Sequence, residues 1–225
     1  MGDFRYAQYC PLARAAEVVG NRWSLLVLRE LMLGPQRFGD LKRRLRGVST
    51  SVLSERLLAL EEYGVIAPDE LPPPASVRVY RLTPHGEAFR PVLLELGRWG
   101  VRWLRPPDAG DHFELDWLRL ALESFAAPGP TPARRFELRV GSARLRFEGG
   151  AHGFRYSRGE APADLTIEAS PPELLGLLTG LLPAAAAEAR GVRFHGDAGA
   201  LADLPRLFRF EFPSRAQPQG QGANP

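Results

Sequence analysis

Ser49, Thr50, Ser51 and Ser54 gather four hydroxyls within six residues. Just ahead of them, residues 37–46 carry Arg37, Lys42, Arg43, Arg44 and Arg46 against the single acid Asp40. Hydroxyls both donate and accept hydrogen bonds, and guanidinium groups neutralise phosphates. That is recognition chemistry, not bond-making chemistry. Residues that could make or break bonds are not grouped in the same way. His85, His112, His152 and His195 stand far apart and form no metal-ligand spacing with Cys10. There is no Walker loop, no G-x-G-x-x-G after a strand and no G-x-S-x-G elbow. The glycines of 195–199 lack the lysine and spacing of a phosphate loop. The expectation is therefore a binding protein, not an enzyme, with no catalytic site, metal or cofactor.

Hydroxyls read a partner only if a helix aims them. Leu12, Ala15, Ala16 and Val19 recur at helical spacing and predict a first short helix. Asn21 can cap a second, with the stripe Trp23, Leu26, Val27 and Leu31 and a stop at Gly34-Pro35. Phe38, Leu41 and Leu45 mark a third, stopped at Gly47. Ser49 caps a fourth, carrying Leu53, Leu57 and Leu60 and closed by Gly64. Two β-like stretches follow, 65–67 and 77–82, around Pro72-Pro73-Pro74.

Two short helices joined by a tight glycine turn and followed by a two-stranded ribbon make a winged helix-turn-helix. In that arrangement the second helix enters a major groove ~12 Å wide, so its start must be small and polar. Ser49, Thr50, Ser51, Ser54 and Arg56 answer to this. The first helix crosses the phosphate backbone, where Arg37, Lys42, Arg43 and Arg44 supply charge. Arg78 is the candidate contact from the wing. Thr83, with Pro84 at the first helical position, then opens a long helix. Its stripe is Phe89, Val92, Leu93, Leu96, Trp99 and Trp103.

The second half has another texture. Residues 111–125 read as an amphipathic helix. Alternation at 136–140, 145–147, 154–156 and 165–167 predicts half-buried strands. Ser170 and Glu173 form a capping-box pattern before a leucine-rich helix at 174–182. A last strand is expected at 192–194 and a last helix at 199–210. This order predicts an α+β fold.

The 225 residues are 44% apolar and 24% charged, ordinary for a globular protein. No uncharged apolar run reaches the ~18 residues a membrane span needs, and the N-terminus carries no signal pattern. The lone Cys10 excludes an intrachain disulfide and suits a reducing cytoplasm. Residues 1–106 hold 16 Arg and Lys against 11 Asp and Glu, a net of +5, and residues 107–225 hold 13 against 15, a net of −2. The basic half is where a polyanion should bind. Pro/Gly clusters at 105–110 and 127–132 suggest an N-terminal domain over 1–106 and a second over 107–213. The tail, 214–225, lacks apolar residues and is expected to be disordered.

Over roughly 9–103 the sequence resembles the HxlR family of bacterial regulators, relatives of the MarR type. The resemblance is carried by Cys10-Pro11, Gly20-Asn21-Arg22-Trp23, 37–41, 49–53, 57–64, 80–86 and Trp99-Gly100. It implies a transcription regulator that binds double-stranded operator DNA as a homodimer, with the 89–103 stripe as a dimer face, joined in part by the first helix. It also makes Cys10 a candidate sensor of oxidants or electrophiles, with Arg5 and Arg14 near enough in sequence to favour a thiolate. A buried or bystander cysteine is the other reading.

Residues 111–212 more weakly resemble sterol-carrier (SCP2-like) domains, through 163–168, 174–180, 194–197 and Leu204, Leu207 and Phe208. The resemblance implies a sheet-and-helix domain around an apolar cavity. That makes Phe154, Tyr156, Leu174, Leu177, Leu178 and Leu181 candidate lining for a small apolar effector, although the same residues could simply be core. The alternative to a regulator is a lipid or small-molecule carrier whose helical domain serves assembly.

Overall fold

The computed structural model describes residues 5–72, 77–104, 108, 110–157, 162–179 and 181–209. The expected tail at 214–225 and the boundary cluster at 105–107 lie outside the described residues. The chain forms two compact units, Met1–Leu96 and Gly97–Pro225.

The first unit opens with α1 (Pro11–Val19), α2 (Ser24–Met32), α3 (Phe38–Arg44) and α4 (Thr50–Glu62). α2, α3, the turn after α3, and α4 bury Val27, Leu28, Leu31, Leu41, Leu45, Leu53, Leu57 and Leu60, whereas α1 buries Ala13 and not its expected stripe. The strands β1 (Ile66–Glu70) and β2 (Arg78–Leu82) pair antiparallel, Ile66 facing Leu82 and Glu70 facing Arg78. Gln36 adds a short third position by exchanging backbone hydrogen bonds with Tyr80 at 3.0 and 2.8 Å. Pro68 is accommodated in β1 because that strand is the ribbon's other edge. The ribbon runs two to three residues further along the first strand than the β-like stretch 65–67 suggests.

Two helix starts differ from expectation. Asn21 does not cap α2 with its side chain; Trp23 holds the N-cap position without a side-chain bond, and the Asn21 carbonyl accepts from Ser24 N at 3.1 Å. The long helix expected after Thr83 is broken. Thr83 caps α5 (Pro84–Glu87) as expected, its hydroxyl accepting from Gly86 N at 3.1 Å. The chain then restarts as α6 (Arg90–Gly100), followed by a 3-10 turn at Val101–Trp103. Pro91 explains the break. It has no N–H to give the Glu87 carbonyl, and its ring would clash there. Gly86 is required where it stands, since a Cβ would sit 2.1 Å from the Val65 carbonyl oxygen.

The second unit contains α7 (Leu115–Phe125), β3 (Arg135–Val140), β4 (Ala143–Glu148), β5 (Arg155–Tyr156), β6 (Leu165–Glu168), α8 (Pro171–Leu178), α9 (Ala184–Ala189), β7 (Arg193–Gly196) and α10 (Ala200–Asp203), then a 3-10 turn at Leu204–Leu207. The strands form one sheet in the order β5-β4-β3-β6-β7. Among the described residues the β3–β6 pairing is parallel and the other three are antiparallel. One face of the sheet, with Phe136, Leu138, Leu145, Phe147, Leu165 and Ile167, is buried in the core with leucines of α7 and α8. The other face is a ladder of charge: Glu137 opposes Arg146, Glu148 opposes Arg155 and Arg135, and Glu168 opposes Arg193. Opposite charges directly across a ladder support strand pairing.

The α+β order matches expectation, with exceptions. The helix expected at 199–210 is one turn followed by a 3-10 turn, because Pro205 cannot continue an α-helical ladder. The helix α9 was not foreseen, although its signal is plain: Pro183 and then the alanine-rich run AAAAEA. The Ser170 side chain does not cap α8. Its hydroxyl donates to the Glu173 carboxylate instead.

Candidate nucleic-acid interface

The candidate interface comprises α3, the turn after it, and α4. Leu41, Leu45 and Val48 are buried and fasten α3 and the turn to the core. Gly47 reverses the chain with φ +88°, a conformation that side chains resist. Ser49 then caps α4, its hydroxyl accepting from Val52 N at 3.2 Å. That cap turns the helix start outward. Ser49, Thr50, Ser51, Ser54, Glu55 and Leu58 are exposed while Leu53, Leu57 and Leu60 are buried on the opposite side. The Ser49 and Ser51 hydroxyls lie 3.0 Å apart. One surface of α4 is therefore small and hydroxyl-bearing over its first turns, then bulkier.

The cations ahead of α4 are not equivalent. Arg37 is exposed and Lys42 half-buried, and neither makes an ion pair among the described residues. Arg43 is 72% exposed and touches Asp40 at 2.6 Å, a contact that solvent weakens. Arg44 corrects the expectation. Its side chain is only 16% exposed, and its Nε lies 2.7 Å from Glu30 Oε2. Glu30 is fully buried and is also bonded by Arg29 at 2.6 Å. Arg44 thus fastens α3 to α2 and is spent inside the fold. Arg56 is 16% exposed, and its guanidinium is bonded to the carboxylate of the exposed Glu55. Arg78 is exposed on β2, with its guanidinium 5.8 Å from the Tyr80 ring centroid.

Glu55, expected on the exposed face of α4 with the hydroxyls, brings an acid to it. One residue of that face escaped the sequence reading: Leu58 is 58% exposed. Leu58 sits beside Leu57 in the sequence, and only the phase set by Leu53, Leu57 and Leu60 separates the outward leucine from the inward ones.

Residues 18–108 match the HxlR-like helix-turn-helix family. The chain is 39% identical over 104 residues to the uncharacterized HTH-type transcriptional regulator sll1512 of Synechocystis, an alignment covering 45% of this chain and 75% of that protein. It is 37% identical over 102 residues to the uncharacterized HTH-type transcriptional regulator YvaP of Bacillus subtilis, covering 44% and 94%. The chain belongs to the HxlR-like helix-turn-helix family. A solved structure of the reduced form of the transcriptional regulator YodB from B. subtilis has 31% identity, covers 45% of this chain and 100% of that one, and overlays with a TM-score of 0.38.

Ahead of the HxlR-like region, Cys10 is half-buried at the N-cap of α1. Arg14, near Cys10 in the sequence, has its guanidinium 2.8 Å from the Glu17 carboxylate. That arginine and the Tyr6 N–H hold the Glu17 carboxyl below its ordinary value of 4.5. The apolar stripe of α6 contains no buried residue, and Val92, Leu96 and Trp99 are exposed, as is Trp103 in the turn after it. Leu12 on α1 is exposed as well.

Beyond the HxlR-like match, the six candidate effector-lining residues separate. Leu174, Leu177 and Leu178 are buried in the core of the second unit. Phe154 packs against Phe147, Phe208 and Tyr156 at 5.4, 5.2 and 4.9 Å between centroids. The Tyr156 hydroxyl donates to the Arg119 carbonyl. Leu181 is 77% exposed and does not line the interior with the others. A surface cleft of about 470 Å³ lies elsewhere, lined in part by Val140, Glu168, Ser170, Glu173, Arg190 and Arg193.

Proposed function

We propose that this protein is a bacterial transcription regulator that binds operator DNA as a homodimer through its winged helix-turn-helix. The observation that carries the reading is the outward hydroxyl face of α4, set beside the exposed charges of α3 and backed by leucines in the core. Thr50, Ser51 and Ser54 reach base edges in the major groove, and Ser49 sits at the groove mouth while capping the helix. Arg37, Lys42 and Arg43 meet phosphates, and Arg78 contacts the backbone or minor groove from the wing. Arg44 acts by holding α3 to α2, and Arg56 is engaged by its neighbour Glu55. Two copies joined through α6 and α1 would read half-sites about one helical turn (~34–36 Å) apart.

The proposal extends to the second unit as a sterol-carrier-type module for a small apolar effector. Such a ligand would have to displace the mutual contacts of Phe154, Tyr156, Leu174, Leu177 and Leu178. To act as a switch it must bind one arrangement of the regulator more tightly than another. Cys10 is proposed as the thiol through which oxidants or electrophiles are read, by a bond between subunits or a small-molecule adduct. A reducing cytoplasm is the compartment this reading requires.

The test is fluorescence anisotropy with a duplex taken from upstream of the protein's own gene, across a salt series. Binding that weakens steeply with salt, and is tighter than to a scrambled duplex, supports the regulator. Co-purified lipid without any duplex binding would favour the carrier instead.

A further inference from the structure

Trp23 stands directly behind the helix-turn-helix turn. The tip of its ring, Cη2, lies 3.8 Å from where a Cβ of Gly47 would be. Gly47 belongs to the reversal between α3 and α4, so the indole is the wall against which the entrance of α4 is set. Two arginines share this wall. Arg22 is exposed, and its guanidinium carbon lies 5.8 Å from the Trp23 ring centroid. Arg46 is exposed in the turn itself, one residue before Gly47. Among the described residues neither makes a hydrogen bond or an ion pair, in contrast to Arg44 and Arg56. A guanidinium resting on an aromatic face keeps its in-plane N–H donors free and gives up little rotamer freedom when they are used. A planar fork of unspent donors suits a phosphate. Arg46 precedes the Ser49 cap by three residues in the turn, and Arg22 rests on the indole that backs that turn.

We propose that Arg22, held over Trp23, and Arg46, in the turn that Trp23 backs, grip the phosphodiester backbone of duplex DNA at the entrance of α4. This rests on the DNA-binding reading above and adds to it a pair of contacts that are independent of base sequence. Trp23 is a positioning residue in this scheme: it sets the turn on one edge and supports Arg22 on its face.

The experiment measures anisotropy of two labelled duplexes, the upstream fragment and a scrambled one of equal length, between 50 and 200 mM salt. The proteins are the full chain and its Arg22→Ala, Arg46→Ala, double Ala and double Lys variants, with Arg144→Ala as a control for an exposed cation of the second unit. Each Ala variant is expected to lower the steepness of log affinity against log salt by about 0.9, and the double by about twice that. A single variant then loses ~3.5-fold less affinity than the parent across this fourfold range of salt. The effect should be equal on both duplexes, retained in the double Lys variant, and absent from the control. An unchanged salt slope in the double Ala variant, with the parent binding normally, overturns the inference alone. So does a loss confined to the upstream duplex, which would mark base contacts. A parent that binds neither duplex at 50 mM salt overturns the DNA-binding reading and the inference with it. Matching unfolding curves of parent and Arg46→Ala, whose side chain leaves the fold untouched, keep the test independent of folding.

Discussion

Glu30 Oε2 and Arg44 Nε lie 2.7 Å apart, and the carboxylate between them and Arg29 is fully buried. A run of arginines that reads as one basic face is thereby divided by burial into an interior anchor and an outer set. Arg44→Ala is expected to destabilise the first unit by about 3 kcal/mol, since it strips one partner from a buried charge. Arg43→Ala, at 72% exposure, should stay within about 0.5 kcal/mol of the parent yet flatten the salt dependence of DNA binding. Denaturant unfolding and anisotropy on the same two variants check both halves. Equal stabilities would show that the anchor does not exist.

Ser49 serves the fold and the interface at once. Its hydroxyl satisfies Val52 N, so Ser49→Ala should cost about 1 kcal/mol. Ser49→Asp keeps an acceptor and favours the positive end of the helix, so stability should be retained. The new carboxylate would face phosphates, and duplex affinity should fall by tenfold or more, most strongly at low salt. If Asp at 49 bound DNA as well as Ser, the start of α4 would not approach a duplex.

The outward face of α6 yields a prediction about assembly. Val92, Leu96, Trp99 and Trp103 are 54, 40, 55 and 57% exposed, a run of large apolar groups that water does not favour. Sedimentation velocity should show a dimer for the parent. Trp99→Ser with Trp103→Ser should shift it to monomer at micromolar concentration, because buried tryptophans at interface centres are each worth ~2 kcal/mol or more. The same variant should lose tight binding to a two-half-site duplex. A dimer that survived both changes would put its interface elsewhere.

Core and candidate lining can be told apart in the second unit. Leu178 is 1% exposed, and Leu178→Ala should cost 2–5 kcal/mol. Leu181→Ala should cost no more than about 0.5 kcal/mol, because its side chain is already in water. Thermal unfolding of the two variants separates them. If an apolar ligand raised the parent's unfolding temperature but not that of Leu178→Ala, the effector reading would gain a site.

Much of this was legible in the sequence, for local reasons. Ser49 and Thr83 cap helices because each hydroxyl stands three residues ahead of a first-turn N–H that has no partner within its helix. Gly47 and the alternating strands are equally local signals. Pairings over long sequence distances were not legible. Glu30 and Arg44 are fourteen positions apart on different helices, and nothing in either neighbourhood tells which arginine of the run turns inward. Leu58 and Leu181 failed for the same cause: a leucine in a leucine-rich stretch is assigned a side only once the helix phase is fixed by its neighbours. The split of the long helix at Ala88 could have been read from Pro91, had its effect on the preceding turn outweighed the continuous apolar stripe.

Glu137 gives the pH prediction. Its carboxylate is 1% exposed in the charged face of the sheet, bonded by Arg139 at 2.6 Å and by Arg146. Burial pushes this carboxyl up, but the hydrogen bonds and charges of the two arginines outweigh it and hold the group below its ordinary 4.5. Asp164 is held below its ordinary 3.8 chiefly by the Arg135 N–H, and Asp203 below the same value chiefly by Arg134. Each carboxylate therefore binds its proton less readily folded than unfolded. The stability this provides is complete above about pH 4.5 and is lost as pH falls through the lowered folded values. Glu137→Gln should remove ~2 kcal/mol at neutral pH, where a charge-assisted pair becomes a weaker neutral one. It should also flatten the decline in stability below pH 4.5. Urea unfolding of parent and variant between pH 3 and 7 measures both effects, and parallel curves over that range would mean that Glu137 titrates alike in the folded and unfolded chain.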